Sequence, residues 1–178
     1  MSHDLSGLVL RPWRVEEAPL LHAFHHDPLM RTQAQFDDVE GARAWIEWVK
    51  GLDNGYAFAI AGPDDRPWGS IGVTNIDKHD NAWVWYATHA EVRGKAVATD
   101  ALRGASAWAH GLGVHRLELG HRLDNPASCK VATRAGYAAE GRQRGKLVHD
   151  GVRFDTEMHA RLAGDPLPEP GRPVTVRP

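Results

Sequence analysis

A basic turn between a predicted strand and a predicted helix constrains the fold of this chain more than any other segment. Residues 82–88 (Ala-Trp-Val-Trp-Tyr-Ala-Thr) predict a strand, and an amphipathic helix begins within residues 91–103. The turn between them holds Gly94, flanked by the cations Arg93 and Lys95. A helix N-terminus offers unpaired backbone N–H groups at the positive end of the helix dipole, which suits a phosphate or pyrophosphate. The turn matches neither a P-loop nor a Gly-x-Gly-x-x-Gly loop. It therefore predicts an anion site of another kind, with a solvated connection as the alternative.

A second segment, residues 116–137, repeats the order of strand, turn and helix. Alternating apolar residues over 116–121 predict the strand. Asn125 fits the N-cap of the helix, Pro126 its first position and Gly136 a left-handed C-cap. Local signals therefore bound this short helix at both ends.

The remaining pattern indicates an α+β domain. Apolar spacing predicts helices over 15–26 and 39–50, and the other predicted strands cover 7–12, 56–61, 68–77 and 152–159. This combination predicts a mixed sheet flanked by helices. We expect residues 1–163 to form one domain and residues 164–178, rich in Pro and Gly, to form an extended or disordered tail.

The composition argues against several classes of partner. The chain of 178 residues is 42% hydrophobic and can bury a sizeable core, while its net charge of -2 gives no reason to expect nucleic acid. No apolar run approaches a membrane span and no leader-like start is evident, so we expect no membrane partner and a cytoplasmic location. The single cysteine, Cys129, fits that location. A homodimer is a possible assembly.

A histidine-rich stretch at residues 22–27 raises one metal hypothesis. His22 and His26 share a helix face, but a zinc site needs further ligands at defined spacing and none stands out. We therefore predict no metal.

Two motifs in these segments resemble one known superfamily. Residues 93–98 (Arg-Gly-Lys-Ala-Val-Ala) resemble the Arg/Gln-x-x-Gly-x-Gly/Ala pyrophosphate loop of the GNAT acyl-CoA-dependent N-acyltransferases. Residues 125–128 (Asn-Pro-Ala-Ser), followed by 136–141 (Gly-Tyr-Ala-Ala-Glu-Gly), resemble a signature of its RimJ/RimL-like branch. The order and spacing of the two motifs carry the resemblance, which extends over residues 8–162.

The resemblance implies a mixed, mostly antiparallel central sheet of about seven strands, splayed between the fourth and fifth. Acetyl-CoA would lie in this gap as cosubstrate, with its pantetheine arm paired to strand backbone. The positions that match the family's cofactor contacts are Val92, Arg93, Gly94, Lys95, Ala96, Val97, Ala98, Thr99, Asn125 and Ser128. Ala96 replaces the loop glycine of the family. If that position needs a positive φ, its Cβ costs on the order of 1 kcal/mol.

The chemistry implied by the resemblance needs few side chains. A backbone amide of the fourth strand can polarise the thioester carbonyl. Ser128 matches the family serine and would donate a proton or hydrogen bond to the leaving sulfur. Leu147 occupies the position of a family glutamate that assists deprotonation. His89 and His121, at the ends of the fourth and fifth strands, are therefore candidate bases, beside proton loss to water.

The implied activity is transfer of an acetyl group from acetyl-CoA to a primary amine, by direct attack in a ternary complex. The acceptor could be a protein N-terminus or a small-molecule amine. Two alternatives stay open. One is a catalytically weak acyl-CoA-binding module, motivated by Ala96 and Leu147. The other is a transferase for a different donor such as succinyl-CoA.

Overall fold

The described part of the chain forms four α-helices and eight strands. The computed structural model describes residues 4–25, 27 and 36–178. The strands are β1 (Leu8–Arg11), β2 (Tyr56–Ala61), β3 (Pro67–Thr74), β4 (Asn81–Thr88), β5 (Arg116–Arg122), β6 (Ala138–His149), β7 (Val152–Leu162) and β8 (Val174–Val176). The helices are α1 (Ala18–His25), α2 (Val39–Lys50), α3 (Val97–Gly111) and α4 (Pro126–Arg134). The first predicted helix begins as a 3-10 turn at Val15–Glu17, and its predicted end at His26 lies outside the described residues.

The strands form one sheet with the order β6-β7-β5-β4-β3-β2-β1-β8. The pairs β4–β5 and β1–β8 are parallel and the other five are antiparallel. The fold is therefore α+β with a mixed, mostly antiparallel sheet, as predicted.

The fourth and fifth strands separate soon after they meet. Their parallel pairing covers only Asn81–Trp83 against Arg116–Glu118. Beyond that point β4 continues to Thr88 and β5 to Arg122 without a register between them. The predicted splay is confirmed, and it leaves edge backbone on both strands facing a gap.

The tail departs from the prediction. Residues 164–178 are largely irregular, but Val174–Val176 form the eighth strand, parallel to β1 with Leu8 opposite Val174. The Arg177 N–H also donates to the Leu10 carbonyl at 2.8 Å. The resemblance implied about seven strands, and β8 adds an eighth in a segment whose Pro and Gly content gives no strand pattern. A strand of three residues is stabilised by the edge of β1, which no local pattern reveals.

Helices cover both faces of the sheet. Because neighbouring strand residues point to opposite faces, Phe58 and Ile60 of β2 join the core under α3, whereas Ala59 joins the core under α1 and α2. Alanines along the buried stripe of α3 let this helix pack closely on the sheet. No helix in the described ranges has the length and apolar character that a membrane span requires.

Candidate active site

The turn between β4 and α3 has a left-handed backbone at two positions. A 3-10 turn at Ala90–Val92 leads into it, and Gly94 has φ 75°. Ala96 has φ 61° and ψ 7° and caps the N-terminus of α3. The positive φ considered for Ala96 is therefore present, with its cost of on the order of 1 kcal/mol.

Backbone N–H groups of this turn fall into two sets. Three are used by the turn itself, since Val92, Arg93 and Lys95 donate to preceding carbonyls at 3.1–3.2 Å. Five others receive no acceptor from the residues that the structure describes: those of Gly94, Ala96, Val97, Ala98 and Thr99. They lie at the positive end of α3, an arrangement that suits a bound anion.

Charged side chains hold the turn from both sides. Arg93 Nη1 lies 2.9 Å from Asp27 Oδ2. From the tail, the Arg172 guanidinium donates to the carbonyl oxygen of Lys95 and lies 2.6 Å from Asp100 Oδ2. The Asp100 side chain is only 3% exposed, so this ion pair fixes the first turn of α3 to the tail.

Helix α4 faces the gap between β4 and β5. The Asn125 side chain accepts a hydrogen bond from the Ser128 N–H at 3.1 Å, so Asn125 is the predicted N-cap. The Tyr86 hydroxyl, on β4, donates to the Ser128 carbonyl at 3.2 Å. Ser128 is half-buried, and both of these contacts use its backbone rather than its hydroxyl.

Tyr86 was not predicted as a site residue. Burial raises the pKa of its hydroxyl to about 12, so it keeps its proton at neutral pH. The sequence held one signal, because Tyr86 shares a strand face with buried Val84 and lies in the part of β4 that the splay opens.

His89 directly follows β4 and caps the 3-10 turn at Ala90–Val92. Its Nδ1 accepts from the Glu91 N–H at 3.3 Å and lies 3.5 Å from the Glu91 carboxylate. The ring packs against Phe24, with 4.8 Å between ring centroids. His89 therefore lies between β4 and the turn that leads to α3, and its Nδ1 already has a hydrogen-bond partner.

His121 is set in a cluster beneath α4. It is 7% exposed, and its Nδ1 lies 2.9 Å from the Arg122 carbonyl oxygen. Its Nε2 lies 3.0 Å from His159 Nε2 and 3.3 Å from Glu157 Oε2. Both ring nitrogens thus have partners, which sequence reasoning about a strand-end histidine did not foresee.

The comparison with known families agrees with this geometry. Residues 7–138 match the family model of the acetyltransferase (GNAT) domain. The chain belongs to the GNAT family and is an acyl-CoA-dependent acetyltransferase. It is similar to the probable N-acetyltransferase YjcK of Bacillus subtilis (strain 168), with 33% identity over 134 residues that cover 71% of this chain and 74% of YjcK.

Solved structures extend the likeness at the level of the fold. The spermidine N-acetyltransferase of Vibrio cholerae, in complex with CoA and spermine, superimposes with a TM-score of 0.80 at 16% identity, covering 89% of this chain and 96% of that one. RimL, a ribosomal L7/L12 alpha-N-protein acetyltransferase in complex with CoA, gives 0.78 at 20% identity, covering 86% and 92%. These two neighbours act on different kinds of acceptor, so the fold by itself does not select one.

Proposed function

We propose that this acetyltransferase takes acetyl-CoA in the gap between β4 and β5 and transfers its acetyl group to a primary amine by direct attack in a ternary complex. One observation supports this most strongly. Five N–H groups without acceptors among the described residues lie at the start of α3, next to the gap. A pyrophosphate has the charge and the oxygen atoms that such a group of donors binds.

The cofactor contacts follow the chain from Val92 to Thr99 and then cross to α4. The pyrophosphate accepts from the N–H groups of the turn, with the cations of Arg93 and Lys95 beside it. The pantetheine arm lies along β4 beyond Trp83, where the strand lacks β5 as a neighbour. Asn125 and Ser128 face the pantetheine and thiol end.

The reaction forms an amide bond and breaks the thioester. A backbone N–H of β4 polarises the carbonyl in the transition state. The Ser128 hydroxyl donates to the departing thiolate. It is available for this because the contacts of Ser128 with Asn125 and Tyr86 use its backbone N–H and carbonyl. Tyr86 positions Ser128 through the carbonyl of that residue.

The base remains a choice between His89, His121 and no side chain at all. We place His89 first because it lies where β4 meets the turn, and His121 second because both its nitrogens have partners. Without either, the amine would react in its neutral form, held in position by the site. The acceptor is a protein N-terminus or a small-molecule amine, since one structural neighbour is named for each kind.

Thermal unfolding with and without acetyl-CoA tests the cofactor site. A ligand that binds only the native state raises Tm by mass action. Arg93→Gln should weaken acetyl-CoA binding by about tenfold, because it removes a positive charge beside the proposed pyrophosphate site and the ion pair that holds the turn to Asp27. Lys78→Gln, at an exposed turn between β3 and β4, is the matched control and should leave the affinity unchanged. A Tm unmoved by millimolar acetyl-CoA would refute the site.

Release of free thiol, followed across a panel of amines, tests the transfer itself. Turnover with one class of amine supports the proposed acceptor chemistry. Tight binding of acetyl-CoA without turnover on any amine would favour the weak acyl-CoA-binding module, which the strained Ala96 makes a second candidate. Faster turnover with succinyl-CoA than with acetyl-CoA would instead identify succinyl-CoA as the preferred donor.

A further inference from the structure

Four side chains with metal-ligating atoms converge beneath α4. They are Cys129 of α4, His121 of β5, and Glu157 and His159 of β7, and one ligand atom from each lies within 4.8 Å of all the others. His159 Nε2 is 3.1 Å from Glu157 Oε2, and Cys129 Sγ is 3.5 Å from the same oxygen. His121 Nε2 completes the group, 3.0 Å from His159 Nε2.

The sheet register explains why these residues meet. His121 lies directly opposite Glu157 in the antiparallel β5–β7 pair, so their side chains share a face. His159 is two residues further along β7 and therefore points to the same face. The helix that follows β5 then brings Cys129 over this face. Three elements contribute, which is why no Cys/His spacing in the sequence revealed the group.

The outer nitrogens of both histidines are held by backbone oxygens. His121 Nδ1 lies 2.9 Å from the Arg122 carbonyl oxygen, and His159 Nδ1 lies 3.4 Å from that of Tyr137. A carbonyl oxygen only accepts, so we assign the proton of each neutral ring to Nδ1. Each Nε2 is then a bare lone pair. Two lone pairs at 3.0 Å, next to the Glu157 carboxylate, repel one another unless a cation or an added proton lies between them.

We propose that His121, Cys129, Glu157 and His159 bind a Zn²⁺ ion. Two nitrogens, one thiolate and one carboxylate oxygen are ligands that zinc takes in tetrahedral geometry, with bonds of about 2.0–2.3 Å. Neighbouring ligand atoms around such a centre are separated by roughly 3.3–3.7 Å. The four contacts given above, at 3.0, 3.3, 3.1 and 3.5 Å, each lie within about half an ångström of that range. Backbone carbonyls on the second ring nitrogens are the usual support of zinc-bound histidines.

The burial of the group suits an ion held by the protein alone. His121 and His159 are 7% and 2% exposed, whereas the Glu157 side chain is 29% exposed and leaves a path for entry. Four protein ligands define a closed, structural site. The ion would tie α4 to β5 and β7, and α4 carries Asn125 and Ser128. A zinc-bound His121 could not also serve as the base, so this site leaves His89 or no side chain for that role. Metal binding itself does not require the proposed acetyl transfer and can be tested without it.

Cobalt titration of chelator-treated, tag-free protein tests the proposal. Co²⁺ should bind one ion per chain and produce a thiolate-to-metal charge-transfer band together with the visible bands of a tetrahedral site, and Zn²⁺ should abolish both. Binding should release the thiol proton of Cys129. Losing a residue that only hydrogen-bonds to a metal ligand already weakens metal binding by about 10–100-fold. Glu157→Gln removes a ligand itself, so it should weaken Co²⁺ binding by at least about a hundredfold.

Two further variants make the result specific. Cys129→Ser should lose the charge-transfer band while circular dichroism shows the fold retained. His79→Gln, at an exposed turn outside the cluster, should titrate like the wild-type protein. A wild-type protein that gives no charge-transfer band at saturating Co²⁺, or a band that survives in Cys129→Ser, would overturn the proposal. The group would then be a hydrogen-bonded cluster in which one imidazole carries the added proton opposite Glu157.

Discussion

Ala96 carries a left-handed backbone with a Cβ, which disfavours the native turn by about 1–2 kcal/mol relative to a right-handed residue. Ala96→Gly should remove this strain, although glycine also gains entropy in the unfolded chain. We expect the free energy of unfolding to rise by about 0.5–1 kcal/mol, measured by urea denaturation. Ala107→Gly, at an exposed position inside α3, should lower it by about 1 kcal/mol. Changes of the same sign in both variants would contradict this account.

A substitution at Ser128 can separate the proposed catalytic role of its hydroxyl from the structural role of its backbone. Its N–H caps α4 through Asn125 and its carbonyl accepts from Tyr86, and alanine preserves both backbone contacts. Ser128→Ala should therefore keep the stability and acetyl-CoA affinity while it lowers kcat by roughly ten- to a thousandfold. Steady-state kinetics on an accepted amine measure this. Wild-type turnover in the variant would leave Ser128 with a purely structural role.

The pH dependence of kcat/KM distinguishes the possible bases. Imidazole ordinarily titrates at about pH 6.5, so an imidazole base would produce a rising limb in that region, whereas an unaided amine would follow its own higher pKa. We expect His89→Gln to alter the limb more than His121→Gln. The profiles should be recorded with two acceptors of different amine pKa. A limb that tracks the acceptor and survives both substitutions would show that the enzyme acts on an already neutral amine.

Among the elements, the tail strand β8 has an influence beyond its length. Just before it, Arg172 joins the Lys95 carbonyl and the buried Asp100 at the start of α3. Arg172→Gln would leave Asp100 with Arg103 as its described cationic partner. We expect a loss of about 2 kcal/mol in the free energy of unfolding and weaker acetyl-CoA binding, because the anion turn loses its support.

Arg177→Gln is the control for the tail. The Arg177 side chain is exposed, and the contact that holds this residue uses its backbone N–H. Unfolding and acetyl-CoA titration should therefore be close to wild type. Equal effects of the two substitutions would show that Arg172 acts only through the general stability of the tail.

Elements whose ends are set by local chemistry could be predicted from the sequence. Asn125 and Pro126 begin α4 as expected, and Gly136 has the left-handed φ of 85° that its C-cap position requires. The turn between β4 and α3 could be predicted for the same reason, since its residues are contiguous. The strand β8 could not be found in this way, because its partner Leu8 lies near the other end of the chain.

Across the whole molecule, the parts of the candidate site that lie in contiguous motifs could be predicted, whereas the contacts between distant segments could not. Local motifs predict Asn125, Ser128 and the turn between β4 and α3 as parts of the proposed site, but not the contact that Tyr86 makes across the gap. The cluster around His121 could not be predicted from any local motif. Its members become neighbours only through the β5–β7 register and the return of α4 over the sheet. Fold class was predictable because strand alternation and helical spacing recur in many segments of the chain. A site depends instead on a few contacts between distant residues, which no repeated pattern signals.

The β1–β8 pairing has a consequence for how the molecule folds. Leu8 and Val174 lie at nearly opposite ends of the chain, so this pairing closes one of the largest loops in the structure. Because closing so large a loop is entropically costly, we expect this pairing to form late, after the rest of the sheet has ordered. Val174→Ala should therefore speed unfolding and leave the refolding rate almost unchanged, which stopped-flow chevron analysis would measure. A matching fall in the refolding rate would instead place β8 in the folding nucleus. If β8 does pair last, it is also the strand most easily released. Each release would remove the support that Arg172 gives to the turn between β4 and α3.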